Sequence, residues 1–231
     1  MSNNLNGGKI LEYFISSNAT KRKHLCRVYL PKQYLQSKER LPVLYMTDAQ
    51  WCFRYYAETL AWKEKEIILV GIDHGNDAKR LYDFSFLGVN RYIDFFKNEL
   101  SSHVENEYSA ASHRGYMGIS LGGIFGAALL STEKELHPFY RNYLLFDGTF
   151  KLLNNNIRVF KRMSSNETLP LNINLFLSST KQGNYKHVIE FITMYEKLGI
   201  PSLNIIHQIF DVAHENIAAP SFSFFVDKID V

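Results

Sequence analysis

The chain has 231 residues, of which 46% are hydrophobic and 21% charged, and its 26 Lys and Arg exceed its 23 Asp and Glu by a net charge of +3. This length predicts a single domain over residues 1–231 that is large enough to bury a substantial core. Because charges of both signs are interspersed along the chain, the composition argues against a nucleic-acid partner.

The cysteines and the N-terminus give information about the cellular compartment of the protein. Cys26 and Cys52 are the two cysteines, and neither has the CxxC or Cys/His spacing of a zinc site. Residues 1–8 are polar, and no stretch approaches the roughly 18 apolar residues of a membrane span. We therefore expect a cytoplasmic protein with no disulfide framework and no membrane partner.

Strand signals come first along the chain. Leu25–Leu30 and Val43–Thr47 are short β-branched and aromatic runs, and Ile67–Ile72 is apolar throughout, as in a strand covered on both faces. The strands before Pro42 have no helix between them and are expected to form an antiparallel edge, to which the N-terminal segment 1–24 can add a strand.

Helices and strands then alternate toward the C-terminus. This alternation predicts an α/β protein with a mostly parallel, doubly wound sheet and helices on both faces. The predicted elements are a helix over Tyr92–His103, a strand over Arg114–Gly118, a helix over Leu121–Ser131, strands over Tyr143–Phe146 and Leu171–Leu177, a helix over Tyr185–Leu198, a strand over Asn204–Phe210 and a terminal helix near Ser221–Val226.

The strongest chemical signal is a G-x-S-x-G with an extra glycine, at residues 118–123. It lies between a predicted strand and a predicted helix, which is the setting of a nucleophile on a tight turn. Flanking glycines at Gly118 and Gly122 are expected because side chains there would collide with neighbouring strands. Ser120 is the predicted nucleophile, and the Leu121 amide at the helix N-terminus is predicted to stabilise an oxyanion.

A serine nucleophile needs a base, and His214 is the histidine in the expected place. It follows the predicted strand that ends at Phe210 and precedes the terminal helix, where hydrolases with this turn carry their base. The other histidines lie on or near predicted helices and strands or in loops elsewhere in the chain. The eight histidines are His24, His74, His103, His113, His137, His187, His207 and His214.

Three segments resemble a known family. Leu41–Gln50 resembles the "PVLYLLDGQ" segment of the putative esterase family, which includes esterase D, enterochelin esterases and feruloyl esterases. Val70–Asn76 with Arg80, Tyr82 and Asp83 is similar to the "VGI…R…D" segment of that family, and Phe95–Leu121 matches its "F…EL…Y…R…G.S.GG" layout. The resemblance covers roughly residues 25–230.

The resemblance implies an α/β hydrolase fold and serine hydrolysis of carboxylic or thio esters. It also implies a second oxyanion amide from the loop after the Val43 strand, for which Ala49 is the first choice and Gln50 the alternative. No cofactor is implied, and the small-molecule ester is the expected partner. A domain of this length leaves room for little or no lid, so loops near Trp51, His74 and Phe150 are expected to define the substrate.

The third member of a catalytic triad departs from the family pattern. The family usually supplies its acid after the strand ending near Leu177, but the segment 178–184 contains no carboxylate. An acid is needed to orient the histidine and stabilise its charged form. Asp147, one strand earlier, is the first candidate, Asp211 is the second, and a Ser120–His214 dyad without an acid is the third.

Two further clusters have competing interpretations. Asp73, His74 and Asp77 are titratable residues close in sequence, but their spacing matches no established metal site, so no metal is predicted. The aromatic residues Trp51, Phe53, Tyr55 and Tyr56 either line a substrate pocket or pack beneath the presumed oxyanion loop.

The sequence thus predicts a cofactor-independent, cytoplasmic serine esterase. A non-catalytic binding protein with a hydrolase fold and an acyltransferase with the same serine chemistry are the alternatives. The identity of the ester and the oligomeric state stay open at this level.

Overall fold

A computed structural model describes residues 4–133, 137–153, 172–200 and 202–229. The chain divides into two compact units, the first extending to Gly115 and the second beginning at Tyr116. Each unit contains strands and helices and is described by itself. A single domain over the whole chain stays a prediction.

The first unit has a mixed sheet in the order β1-β2-β3-β5-β4. The pairs β1–β2, β2–β3 and β3–β5 are antiparallel, and β4–β5 is parallel. The antiparallel edge predicted for the strands before Pro42 is confirmed, and the N-terminal segment supplies β1 and β2. The elements are β1 (Asn4–Leu5), β2 (Gly8–Ser17), β3 (Arg22–Leu30), α1 (Lys32–Ser37), β4 (Val43–Thr47), α2 (Ala49–Trp62), β5 (Ile68–Ile72), α3 (Asp77–Phe84), α4 (Val89–Asp94), a π-helical turn (Phe95–Leu100) and α5 (Ser101–Tyr108).

The apolar strands β4 and β5 are buried at every residue, as their sequence predicts. Helix α2 lies so close to β5 that a Cβ on Gly71 would be 2.6 Å from the Ala49 Cβ and 2.7 Å from the Phe53 ring. Glycine at position 71 is therefore required for α2 to pack on the strand.

The predicted Tyr92–His103 helix is the middle of a longer helical segment, from Val89 to Tyr108, that contains the π-helical turn. Phe95, Phe96 and Leu100 of this turn are buried. Glu99 accepts hydrogen bonds of 3.0 Å from the backbone N–H groups of residues 18 and 19, in the β2–β3 connection. The turn thus satisfies backbone donors of the antiparallel edge.

The second unit has strands in the order β6-β7-β8-β9, and the pairs β7–β8 and β8–β9 are parallel. The predicted alternation of strands and helices is confirmed here. The start predicted for β8, at Leu171, lies outside the described residues. The elements are β6 (Arg114–Ile119), α6 (Leu121–Leu130), β7 (Asn142–Phe146), a 3₁₀ turn (Phe150–Leu153), β8 (Ile173–Thr180), α7 (Tyr185–Lys197), β9 (Leu203–Phe210), a second 3₁₀ turn (His214–Asn216) and α8 (Ala218–Phe225).

Helix α6 packs tightly on β7. A Cβ on Gly126 would lie 2.3 Å from a Leu145 methyl carbon and 2.7 Å from the Tyr116 ring, so only glycine allows this approach. Tyr116 also makes an edge contact with Phe125, with ring centroids 5.6 Å apart. This packing fixes where α6 begins relative to the end of β7.

Two expectations from the sequence are that the domain has little or no lid and that no segment spans a membrane. The connection between β7 and β8 includes residues 154–171, which lie outside the described residues, so for this segment the absence of a lid stays a prediction. Among the helices of the described ranges, none is long and apolar enough to cross a bilayer.

One buried ion pair joins the start of α2 to α3. Asp48, which has φ of 59° between β4 and α2, accepts two hydrogen bonds of 2.8 Å from the Arg80 guanidinium. Burial raises the pKa of the Asp48 carboxyl, and Arg80 opposes this effect. The carboxylate therefore depends on Arg80 to stay charged inside the unit.

Replacing Arg80 by Met is expected to lower the free energy of unfolding by about 3–5 kcal/mol, because it leaves a buried carboxylate without its counter-ion. Urea denaturation measures the change. The control is Arg54→Ala, which removes the exposed pair of Arg54 and Glu58 on α2 and is expected to cost less than about 1 kcal/mol. Equal losses in the two variants would contradict the prediction.

Candidate active site

Ser120 lies between β6 and α6 with a strained backbone, at φ 55° and ψ −112°. A non-glycine residue in this region costs about 1–3 kcal/mol and persists only where its surroundings hold it. The Ser120 N–H donates to the Phe146 carbonyl at 3.0 Å, and its carbonyl accepts from the Thr149 N–H at 3.1 Å. The end of β7 and the loop after it thus hold the turn in place.

The glycines around Ser120 are required by contacts other than those predicted. A Cβ on Gly118 would be 2.3 Å from the Gly122 carbonyl oxygen, so the collision is with the first turn of α6 and not with a neighbouring strand. A Cβ on Gly123 would be 2.8 Å from the Cα of Gly148, in the loop after β7. The third glycine therefore lets α6 approach that loop.

The Ser120 hydroxyl is half-buried and has a polar neighbour. Its Oγ lies 3.0 Å from the Thr149 Oγ1. Leu121 is the first residue of α6, and an N–H at that position has no partner within its own helix. A negative oxygen formed on a group attached to Ser120 would find this donor at the positive end of the helix.

Asp147 directly follows β7, has φ of 43° and is fully buried. Its carboxylate accepts hydrogen bonds from the backbone N–H groups of Thr180, at 3.2 Å, and Asn184, at 3.1 Å. The Asn184 side-chain amide donates to the Asp147 carbonyl at 2.9 Å, and the Asp147 N–H donates to the Ser178 carbonyl at 2.8 Å. A buried carboxylate needs such donors, and the loop after β8 supplies them.

His214 contacts this carboxylate. Its Nδ1 lies 2.5 Å from the Asp147 Oδ2, and its side chain is 36% exposed while that of Asp147 is inaccessible. The Thr180 hydroxyl donates to the Val212 carbonyl, which ties the His214 loop to the end of β8. With Nδ1–H directed at the carboxylate, the second ring nitrogen, Nε2, is left as a proton acceptor.

The structure therefore brings together Asp147 and His214, two of the residues singled out from the sequence. Phe146 pairs with Ser178 in the parallel register, so the acid at the end of β7 lies beside the end of β8, where the family usually carries it. The segment after β8 provides hydrogen-bond donors in place of a carboxylate. Asp211, the second candidate for the acid, is exposed.

The candidates for the second oxyanion amide lie in the first unit. The sequence predicts that Ala49 and Gln50 lie in a loop. In the structure they are the first two residues of α2. Their N–H groups lack partners within that helix, and each can donate to an oxyanion. Their role stays a prediction.

Two of the other histidines have structural roles. His24 is buried, stacks on Phe95 with ring centroids 4.2 Å apart, and has its pKa lowered to about 3 by burial. The Nε2 of His207 lies 2.8 Å from the Ser179 hydroxyl, and burial lowers the pKa of this histidine. Both imidazoles are therefore neutral at pH 7.

Of the titratable residues after β5, Asp73 is engaged in an ion pair. Asp73 accepts two hydrogen bonds of 2.9 Å from the Arg27 guanidinium. Across the described ranges, no group of three or more His, Cys, Asp or Glu side chains is arranged to hold a metal ion.

The aromatic residues divide between the two interpretations given to them. All four belong to α2. Phe53 and Tyr56 are on its buried side, whereas Trp51 and Tyr55 are exposed. Phe150, expected near the substrate, is 3% exposed and stacks on a phenylalanine of α7 with ring centroids 4.0 Å apart. The Phe150 ring therefore belongs to the core, and the role of the loop around it in defining the substrate stays a prediction.

Comparison with known proteins identifies the family. The model of the family described as "Putative esterase" matches residues 17–139, more than half of the chain. The chain belongs to the Putative esterase family. The resemblance seen in the sequence is confirmed, and by this membership the protein is an esterase. No curated protein sequence matches the esterase.

Solved structures confirm the α/β hydrolase fold of this esterase. Their identities to it are low, so they bear on the fold alone. They include an IroE-like serine hydrolase from Shewanella oneidensis (TM-score 0.81, 18% identity, 96% of this chain and 82% of that chain), the siderophore hydrolase EstB from Aspergillus nidulans (0.78, 12%, 95% and 93%) and an S-formylglutathione hydrolase from Agrobacterium tumefaciens (0.72, 13%, 99% and 96%).

The residues that support the site are not predicted from the sequence. Thr149 and Asn184 contact Ser120 and Asp147, respectively, but they are 29 and 37 positions away in the chain. One signal is present: Gly183-Asn184 follows a predicted strand, where glycine often indicates a close approach. A Cβ on Gly183 would in fact lie 2.2 Å from the Asp147 Oδ2.

Replacing Gly183 by Ala is expected to lower kcat for a short p-nitrophenyl ester by at least about tenfold, because the new methyl group displaces the Asp147 carboxylate from His214. Steady-state hydrolysis measures the change, and circular dichroism checks the fold. Gly199→Ala is the control, since Gly199 has φ of 59° but no atom lies within 4 Å of the place a Cβ would take. This control should lose some stability and keep its kcat; a normal kcat in Gly183→Ala would contradict the assignment.

Proposed function

We propose that the protein hydrolyses small carboxylic or thio esters through an acyl-enzyme on Ser120, with His214 as general base and Asp147 as the acid that orients it. The observation that carries this proposal is the 2.5 Å contact of His214 with a fully buried Asp147. The strained turn at Ser120 supports it, since a serine there is presented at the end of a strand and the start of a helix.

Acylation begins when Ser120 Oγ attacks the ester carbonyl and His214 Nε2 takes the hydroxyl proton. The tetrahedral oxygen is negative, and the N–H groups of Leu121 and Ala49 bind it. When the intermediate collapses, the bond to the leaving alkoxide or thiolate breaks, and His214 returns its proton to that group. The Asp147 carboxylate stabilises the imidazolium in between.

Deacylation repeats these steps with water. His214 takes a proton from water as it attacks the acyl carbonyl, the oxyanion forms again, and Ser120 leaves with the proton from His214. The Thr149 hydroxyl, 3.0 Å from Ser120 Oγ, holds the serine side chain in the resting enzyme. No cofactor takes part in these steps.

The substrate is a small-molecule ester. Structural relatives named as a ferulic acid esterase and as an S-formylglutathione hydrolase support carboxylic and thio esters, respectively, as substrates. We propose that the enzyme acts in the cytoplasm, with neither nucleic acid nor membrane as a partner.

Two alternatives use the same fold. A non-catalytic binding protein has no need for a buried carboxylate on a histidine, so the Asp147–His214 contact favours catalysis. An acyltransferase differs only in the group that accepts the acyl chain. Product analysis with competing alcohols separates it from a hydrolase: a hydrolase yields mainly the free acid.

A fluorophosphonate probe is expected to label the wild-type protein and not Ser120→Ala, because only an activated serine reacts with it. Mass spectrometry locates the adduct. Ser112→Ala, at an exposed serine shortly before β6, is the control that should still be labelled. Labelling of Ser120→Ala to the wild-type extent would remove the basis of the proposal.

Asp147→Asn is expected to lower kcat by up to about 10⁴-fold, because the neutral amide neither selects the required tautomer of His214 nor stabilises its cation. Hydrolysis of a p-nitrophenyl ester measures the loss. Asp211→Asn is the matched control and should be near normal. A near-normal rate in Asp147→Asn would instead favour a Ser120–His214 dyad.

A further inference from the structure

A pocket lies in the first unit, after the carboxyl ends of the parallel strands β4 and β5. Its volume is about 510 Å³, which is in the range of small-molecule sites. In α/β proteins, ligands bind outside the carboxyl ends of the strands. The residues that line it include Gln50, Trp51, Asp73, His74, Asn76 and Asp77.

Trp51 gives the pocket a fixed aromatic surface. Its side chain is 58% exposed although it is large and apolar. The Arg80 guanidinium lies over its ring at 4.8 Å, and the His74 ring meets it at 5.0 Å in an edge-on arrangement. Because Asp48 in turn holds Arg80, the indole is supported from below by a buried ion pair. An exposed and supported tryptophan is suited to contact a ring of a ligand.

Two polar atoms of the lining residues are without partners in the described part of the chain. They are the Gln50 Nε2, a donor, and the His74 Nδ1, and both are inaccessible to solvent. The backbone N–H of His74 donates to the Gln50 Oε1 at 3.4 Å, so the Gln50 side chain lies against the main chain of residue 74. A buried polar atom without a partner costs about 1–3 kcal/mol. A turn of either side chain toward the pocket would bring its atom within reach of a ligand hydroxyl, which would recover this cost.

The charges at the pocket argue against an anionic ligand, since the Asp77 carboxylate lines the pocket and the two nearby guanidinium groups are already paired with carboxylates. The Asp73 carboxylate is matched by Arg27 in a two-bonded pair, and Arg80 is matched by Asp48. What is left for a ligand is a set of amide, imidazole and carboxylate groups beside an aromatic ring. A ring that has an apolar face and carries hydroxyl groups, which both donate and accept hydrogen bonds, can make all of these contacts.

We propose that this pocket binds a neutral polyhydroxylated ring, a sugar unit, with the ring face on Trp51 and its hydroxyls on Gln50 and His74. As a substrate site, the pocket selects sugar esters for hydrolysis, and this part rests on the proposed function. Binding of the sugar itself does not depend on the proposed function.

Binding is tested without turnover in the Ser120→Ala protein, with methyl 6-O-acetyl-β-D-glucopyranoside as the probe and isothermal titration calorimetry as the measurement. Adding Trp51→Ala is expected to raise Kd about tenfold, the scale of one aromatic contact, and Trp51→Phe should recover most of the affinity. The control is Trp62→Ala, at the other end of α2, where the indole is 78% exposed; it should leave Kd unchanged. No binding by Ser120→Ala, or equal Kd values with and without Trp51, would overturn the proposal.

The kinetic test uses proteins with Ser120 intact. In Trp51→Ala, the ratio of kcat/KM for the sugar acetate to kcat/KM for ethyl acetate is expected to fall about tenfold. An unchanged ratio, or an equal fall with phenyl acetate in place of the sugar ester, would overturn the choice of a sugar. If the wild type hydrolyses none of these esters but calorimetry still shows binding that depends on Trp51, the sugar site stands and the proposed function fails.

Discussion

The candidate site depends on a carboxyl group that is held by hydrogen bonds without access to water. Asp147 is fully buried, and its oxygens are satisfied by two backbone N–H groups and by His214. Removing such a group from water is costly unless hydrogen bonds replace its solvation. The loop after β8 therefore serves the site by what it donates and not by any acid of its own.

The loop after β7 also supports the nucleophile. Asp147 begins this loop, Gly148 leaves room for the Phe150 ring, and Thr149 bonds both to the Ser120 backbone and to its hydroxyl. Three consecutive residues thus carry the acid, make room for a buried ring and hold the serine. A change in this loop would disturb the acid and the nucleophile together, since both are positioned by the end of one strand.

What the sequence predicts well is local. The turn at Ser120 has a strand, a helix and three glycines within a few residues, and His214 is recognisable because it follows the last strand. Asp147 is predicted as one of three possibilities, because the usual position is vacant and the neighbouring strand offers a carboxylate. Its contact with His214 joins residues 67 positions apart, and no pattern along the chain encodes that distance.

The errors have physical causes. Helix α2 is not predicted, although Phe53, Tyr56 and Leu60 recur at helical spacing and are buried, because exposed aromatic residues between them hide the period. The burial of the Phe150 ring is not predicted either, because it comes from stacking on α7, which lies far along the chain.

The donors on Asp147 also determine which substitutions the loop after β8 tolerates. The hydrogen bonds from Thr180 and Asn184 to the carboxylate come from the main chain, so any residue other than proline can supply them. The two side chains make further bonds, from the Thr180 hydroxyl to the Val212 carbonyl and from the Asn184 amide to the Asp147 carbonyl. Position 183 is different, because any side chain there would meet the carboxylate. Natural variation should therefore be narrowest at this glycine and limited to side chains that form hydrogen bonds at positions 180 and 184, and no conserved acid would mark the loop in an alignment.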